Sequence, residues 1–191
     1  MKHTVTRWRI LAVLTFVLGC NTSARDKQQA FSNENSEQAP FALSLVATGS
    51  GGNPVVGQIY MGKDYHSPFY VILTNTSSQT QAAFESWDGW GCQAISFEMQ
   101  TADGHKFIVT RKRPALTRNV PSTFLIPAGE PMVYSIALDD EWAAVPAVPR
   151  GNDTPITIKA IYEIKPTPES AKAHVWTGRV ESKSYEFRVE H

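Results

Sequence analysis

The stretch "ISFEMQTADGHKFIV", residues 95–109, decides the class of fold. Ile95, Phe97 and Met99 alternate with Ser96, Glu98 and Gln100, and a period of two is that of a strand with one face buried and the other wet. The alternation stops at Thr101-Ala102-Asp103-Gly104 and resumes at Phe107 and Val109. An Asp-Gly pair between two such runs signals a hairpin, because glycine accepts the positive φ that a tight reversal demands. The spacing predicts two antiparallel strands joined by a turn at Asp103-Gly104.

The same period extends in both directions. Toward the N-terminus, "FALSLVA" (41–47) alternates Phe41, Leu43 and Leu45, and "SPFYVILTNTS" (67–77) puts Phe69, Val71 and Leu73 on one side before an Asn-Thr-Ser turn. Toward the C-terminus, "PAGEP" (127–131) marks a turn, with Gly129 suited to positive φ, and leads into Met132, Tyr134, Ile136 and Leu138. "ITIKAIYEI" (156–164) and "SYEFRVE" (184–190), with Tyr185, Phe187 and Val189, complete the series, and only "PESAKAH" (168–174) has helical composition, for a turn or two. Eight or so short strands, each with one apolar face, must bury those faces against one another in two antiparallel sheets. The expected class is all-β, an antiparallel immunoglobulin-like β-sandwich, with a closed barrel as the rival.

The chain ahead of this domain has a different composition. Lys2, Arg7 and Arg9 precede a nine-residue, mostly apolar run (10–18), and no acidic residue occurs before Asp26. That is the charge pattern of a signal peptide, and the run is too short for the ~30 Å hydrocarbon core, which needs about twenty residues. Residues 21–39 are polar, with Phe31 their one large apolar side chain, and predict a disordered tether. The expected organisation is a signal peptide at 1–19, a lipidated cysteine and flexible linker at 20–40, and the β-sandwich domain at 41–191.

Val17-Leu18-Gly19-Cys20 resembles the lipobox of bacterial lipoproteins. The resemblance implies cleavage before Cys20, a thioether-linked diacylglycerol and a further N-acyl chain such as palmitate on that residue, so that Cys20 attaches the protein to a membrane. Each buried methylene contributes about 0.8 kcal/mol, and two or three chains hold where one is marginal. Asn21 after the cysteine is similar to the pattern for an outer-membrane destination in a cell with two membranes. "VILTNTS", "IKAIYEI" and "VWTGRVES" resemble runs in uncharacterised secreted and lipid-anchored bacterial sandwiches, a likeness of fold that implies no activity.

Charge and cysteine count narrow the function. Loss of residues 1–19 removes Lys2, Arg7 and Arg9 from eighteen Lys+Arg, leaving fifteen against eighteen Asp+Glu. A mildly acidic chain lacks the basic footprint of a nucleic-acid binder. The chain has two cysteines, so with Cys20 lipidated Cys92 has no partner for an intrachain disulfide. Cys92 then reads as a small buried apolar residue. Three sequons, at Asn21, Asn75 and Asn152, are chance matches in a bacterial chain.

Four stretches carry candidate chemistry. "FESWDGWGC" (84–92) sets Trp87, Asp88 and Trp90 among glycines, a combination able to offer aromatic faces to a glycan or peptide, or to cap the open end of the sandwich. "RKRPALTR" (111–118) clusters Arg111, Lys112, Arg113 and Arg118, which could meet envelope phosphates or carboxylates. "DDEW" (139–142), with Asp153 further on, is oxygen-rich but lacks the spacing of a calcium loop, so no metal site is expected. Cys92 could be paired with His66, His105 or His174, yet neither a nucleophile elbow nor a His-Glu-x-x-His motif occurs, and no enzyme or cofactor is expected.

Finally, "GSGGNPVVGQ" (49–58) resembles the Asn-Pro-x-x-Gly loop of chagasin-type cysteine protease inhibitors at Asn53, Pro54 and Gly57, with valines where that family has threonines. Together with a general likeness to bacterial proteinase-inhibitor sandwiches, it makes inhibition the alternative function. The leading expectation is a lipid-anchored envelope protein whose domain binds or scaffolds an envelope protein or glycan.

Overall fold

The computed structural model describes residues 39–47, 58–61, 68–113, 115, 120–147 and 154–190. The readings that rest on residues 1–38, on the Asn53-Pro54-Gly57 loop, and on His66, Arg118, Asn152 and Asp153 lie outside them. In chain order the strands are β1 (Phe41–Val46), β2 (Gln58–Tyr60), β3 (Phe69–Asn75), β4 (Gln81–Phe84), β5 (Ile95–Thr101), β6 (Lys106–Arg111), β7 (Thr123–Ile126), β8 (Pro131–Ile136), β9 (Trp142–Ala143), β10 (Thr154–Ile164), β11 (Gly178–Glu181) and β12 (Tyr185–Glu190), with one helix, α1 (Pro168–Lys172), between β10 and β11.

They form an all-β sandwich. One sheet is ordered β1-β3-β8; the larger is ordered β2-β12-β10-β5-β6-β9, with β11 also on β10; and β4 pairs with β7 in a two-stranded ribbon. Every ladder is antiparallel except β12–β2, and Met61 bridges Leu138 beyond the ends of β2 and β8, linking the two large sheets along one side. The predicted hairpin is present as β5–β6, in register Gln100↔Lys106. Its loop has three residues, since the Thr101 N–H donates to the His105 carbonyl at 3.0 Å, and Gly104 closes it at φ 87°. Gly129 likewise takes φ 78°.

The inner faces are those the alternation marks. Phe41, Leu43, Leu45, Phe69, Val71, Leu73, Tyr134 and Ile136 from the small sheet pack with Ile95, Phe97, Met99, Ile156, Ile158, Tyr162, Phe187 and Val189 from the large one, all buried. Edge-to-face contacts join the layers: Phe69 to Phe97 at 5.4 Å and Phe41 to Tyr162 at 6.1 Å. Each such pair adds about 0.5–1.5 kcal/mol beyond area burial. The Tyr134 hydroxyl is buried without a hydrogen-bond partner, and burial pushes the pKa values of both Tyr134 and Tyr162 well above the ordinary phenol range.

Twelve strands stand among the described residues, where the pattern predicted eight or so. The five that no alternation marks, β2, β4, β7, β9 and β11, run two to four residues, too short to display a period. β11 exists because β10 is long enough to pair twice on one edge, with β12 over its first half and β11 over its second. The junction falls at Ala160. Its N–H donates to Ser182 Oγ at 3.0 Å and its carbonyl accepts from the Ser182 N–H at 2.9 Å, so one buried serine fills the missing rung. The short helix arises where "PESAKAH" predicted it. Thr167 caps it, with its hydroxyl accepting from the Ser170 N–H at 3.1 Å and the Ser170 hydroxyl accepting from the Thr167 N–H at 2.8 Å.

The ribbon β4–β7 continues the β3–β8 pair around a corner, and Asn75 makes the corner. Its side chain is fully buried. The amide nitrogen donates to the Gln79 carbonyl at 2.7 Å and the Ile126 carbonyl at 2.9 Å, while Oδ1 accepts from the Ser77 N–H at 3.0 Å and the Ser77 hydroxyl at 2.7 Å. Its backbone carbonyl takes the Gly129 N–H at 2.9 Å. Both amide hydrogens and the oxygen are thus satisfied, as a buried asparagine requires.

The outer face of the large sheet is a lattice of opposite charges. Lys159 reaches Glu98 (3.3 Å) and Glu181 (2.8 Å), and Arg179 reaches Glu163 (3.3 Å) and Glu181 (2.6 Å). Ile161 lies among these residues by register and is only 2% exposed.

Two expected outcomes test this architecture. Asn75→Ala strands two carbonyls and should cost about 2–4 kcal/mol in urea unfolding, and Asn75→Asp more, because a carboxylate cannot donate to either of them. In alkaline spectrophotometric titration, Tyr134 and Tyr162 should ionise only with unfolding. Their folded pKa values are raised, so the stability they contribute is whole below the ordinary phenol pKa of ~10 and is lost as pH climbs past it.

Candidate functional site

The loop between β4 and β5 carries "SWDGWGC" and is fixed at both flanks. Asp88 is fully buried. One carboxylate oxygen accepts from the backbone N–H groups of Trp90 (2.8 Å) and Gly91 (2.6 Å), and the other from that of Ser122 (3.0 Å) at the entry to β7. The Glu85 N–H donates to the Ser122 carbonyl at 2.9 Å, so the loop and the strand entry are tied twice. On the opposite flank, Arg111 Nη1 donates to the Ser86 carbonyl at 3.4 Å, and the Gln93 side chain donates to the Arg111 carbonyl at 3.2 Å. Gly91 is required by close approach: a Cβ there would stand 2.1 Å from the Glu85 carbonyl oxygen.

The loop separates its two tryptophans. Trp90 is half-buried, its ring 6.3 Å from Phe84 and packed on the core. Trp87 is 63% exposed. Val120, two residues ahead of Ser122, is 75% exposed, and the Asp88–Ser122 hydrogen bond ties its segment to the loop that carries Trp87. The three sequence candidates therefore divide: Asp88 anchors the loop, Trp90 caps the core, and Trp87 faces out.

The basic and acidic stretches, read separately in the sequence, meet in the fold. Arg111 Nη2 pairs with Glu141 Oε2 at 2.6 Å. The Lys112 N–H donates to the Glu141 carbonyl at 2.7 Å, and its ammonium to the Asp140 carbonyl at 2.6 Å. β9 pairs with β6 at this point, Arg111 opposite Trp142. Arg111, Lys112 and Glu141 are thus used to close this edge. Arg113 remains exposed, with no ion pair among the described residues.

Cys92 is a free, buried thiol. Burial pushes its pKa up, against smaller opposing pulls from Arg111 and Arg113, so it is held as the unreactive thiol. His105 sits at the exposed β5–β6 turn, beyond the far end of β5 from Cys92, and that seven-residue strand keeps the two about 24 Å apart. His174 is exposed just past α1, at φ 52°. Among the described residues no group of three His, Cys, Asp or Glu side chains is placed to hold a metal ion, and no helix is long and apolar enough to cross a membrane.

No protein-family model matches the chain, and no curated protein or solved structure is significantly similar to it.

Sequence reasoning missed Ser122 and Val120, which lie 34 and 33 residues from Asp88 and Trp87 and join the site only through tertiary structure. Asp88→Ala removes the acceptor of three backbone N–H groups and should destabilise the fold by about 3 kcal/mol or more. Gly91→Ala should fold poorly at any temperature. A thiol reagent should modify Cys92 slowly in the native protein and rapidly in urea, and fast native labelling would contradict its placement.

Proposed function

We propose that this chain is a lipid-anchored protein of the bacterial cell envelope, held through Cys20, whose sandwich domain recognises an envelope protein or glycan without catalysing a reaction. The anchor rests on the leader and on the lipobox resemblance, and Asn21 favours the outer membrane where there are two. The binding role rests on one observation: the fold spends a buried, triply bonded carboxylate on a loop whose neighbouring Trp87 is 63% exposed.

A large aromatic left in water contributes nothing to the core. On a fixed loop, however, its indole gives wide contact area at little entropic cost, which is why tryptophan dominates recognition hot spots. Val120, on the segment tied to this loop through Ser122, offers a second exposed apolar side chain, and Arg113, two residues past β6, could orient a polar group of the partner.

Mass spectrometry of the natural protein should find Cys20 as the first residue, carrying diacylglycerol and an N-acyl chain; an unmodified thiol there would remove the anchor. In native envelopes, crosslinking through the full chain should lose its main partner at least tenfold with Trp87→Ala while the melting temperature stays unchanged. Trp90→Ala should lower the melting temperature instead. If Trp87→Ala crosslinks as well as the parent, the recognition surface lies elsewhere.

A further inference from the structure

We infer that the partner is a polypeptide, an extended segment of which adds as a strand to the outer edge of β7 at Thr123 and Leu125. This rests on the reading above, that the partner docks at the end of the domain where Trp87 is exposed.

The hydrogen bonds of the ribbon fix which backbone groups of β7 face outward. The Glu85 N–H donates to the Ser122 carbonyl at 2.9 Å, which makes Glu85 and Ser122 a hydrogen-bonded pair at the entry to the β4–β7 ladder. In an antiparallel ladder such pairs alternate with pairs whose N–H and C=O groups point away from each other. By register, Ala83↔Phe124 and Gln81↔Ile126 are of the first kind, and Phe84↔Thr123 and Ala82↔Leu125 of the second. The far side of β4 agrees: the Ala82 carbonyl accepts from the Trp176 N–H at 3.4 Å. The N–H and C=O groups of Thr123 and Leu125 therefore leave β7 on the side away from β4.

Among the described residues nothing takes these groups up. β4 is the one strand paired with β7, and no other element packs closely along it. Thr123 is exposed, and Leu125 is 68% exposed. Edges are normally guarded by charge, proline or a bulge. Residues 120–129 carry no charge, and Pro121 and Pro127 stand outside the strand, where they limit its length without removing an outward donor.

The spacing of the groups selects the partner. Thr123 and Leu125 each offer a donor and an acceptor, repeated about 7 Å apart along the edge. That is the repeat of an extended polypeptide backbone, which sugar hydroxyls do not reproduce, so the edge fits a protein rather than a glycan. In the added strand, the residue opposite Leu125 falls on the face of the ribbon that shows Leu125, and an apolar side chain suits it. Val120 is exposed on the approach to the same strand, and the Asp88–Ser122 bond ties the Trp87 loop to the residue ahead of Thr123. The edge and the exposed indole thus belong to one hydrogen-bonded unit.

Proline separates backbone from side chain in the test. Leu125→Pro deletes an outward N–H that the fold does not use, whereas Leu125→Thr keeps that N–H and loses the apolar side chain. With benzoylphenylalanine in place of Val120 in the full chain, photocrosslinking in native envelopes should give a protein adduct. Leu125→Pro should reduce it at least tenfold relative to Leu125→Thr, with the melting temperatures of the two alike, while Phe124→Pro, which removes an N–H bonded to β4, should lower the melting temperature. In non-ionic detergent, amide exchange of the full chain should run at least tenfold faster at Thr123 and Leu125 than at Phe124. Slow exchange at Thr123 and Leu125, a Leu125→Pro chain that does not fold, equal adduct from Leu125→Pro and Leu125→Thr, or a glycan or a second copy of this chain as the crosslinked species would each overturn the inference. If Trp87→Ala abolishes the adduct and Leu125→Pro does not, strand addition fails and the reading of Trp87 stands; the converse result keeps strand addition and removes Trp87 as the recognition residue. No adduct from the parent chain would remove both.

Discussion

The side chain of Asn75 is the constraint on which the arrangement turns. Two strands that pair across the small sheet must leave it together to become the β4–β7 ribbon, and a corner in a ladder exposes carbonyl and amide groups that the ladder had satisfied. One buried amide supplies donors to both sides of the bend and an acceptor to the turn that follows. Because the ribbon is placed this way, β4 delivers the Trp87 loop and β7 delivers Ser122 to the same end of the molecule. The loop that exposes Trp87 is thus positioned by hydrogen bonds some ten residues away from it, within a core held by ordinary cross-sheet packing.

How much of this could be read from the residues follows from where each pattern gets its information. β1, β3, β5, β8, β10 and β12 have one face in the core along most of their length, so alternation records them, and Gly104 and Gly129 mark turns because positive φ demands glycine. β4, with "QAAF", and β9, with two residues, are strands only because a partner lies beside them. Asp88 illustrates the same limit at the site. An aspartate between two tryptophans looks like a contact for a ligand, and nothing local reveals that its second oxygen binds an N–H 34 residues away. An acid three residues ahead of a glycine in a tight loop was the available signal of an inward-turned carboxylate, and Cys92, one residue further on, was legible as buried.

The two charged stretches carry a related lesson. Arg111-Lys112-Arg113 and Asp139-Asp140-Glu141 each suggested an external partner of opposite sign. The fold makes them largely one another's partner, through one short ion pair and two hydrogen bonds to backbone carbonyls. Exposed pairs of this kind contribute little to stability. Their effect is local: Arg111 and Glu141 neutralise one another and Lys112 ties the acidic stretch to the end of β6, while Trp87 and Val120 stand exposed on segments either side of the Asp88–Ser122 bond.

Asn75 also bears on how the protein can be made. It heads an Asn-Thr-Ser sequon, and glycan transfer bonds the sugar to the side-chain amide nitrogen, the atom whose two hydrogens tie the corner together. Sugar added to the nascent chain in a eukaryotic secretory pathway would put a bulky hydrophilic group where no solvent reaches. Production through such a host would divide the yield between unmodified chains that fold and modified chains that cannot, a partition that a bacterial or cell-free system avoids.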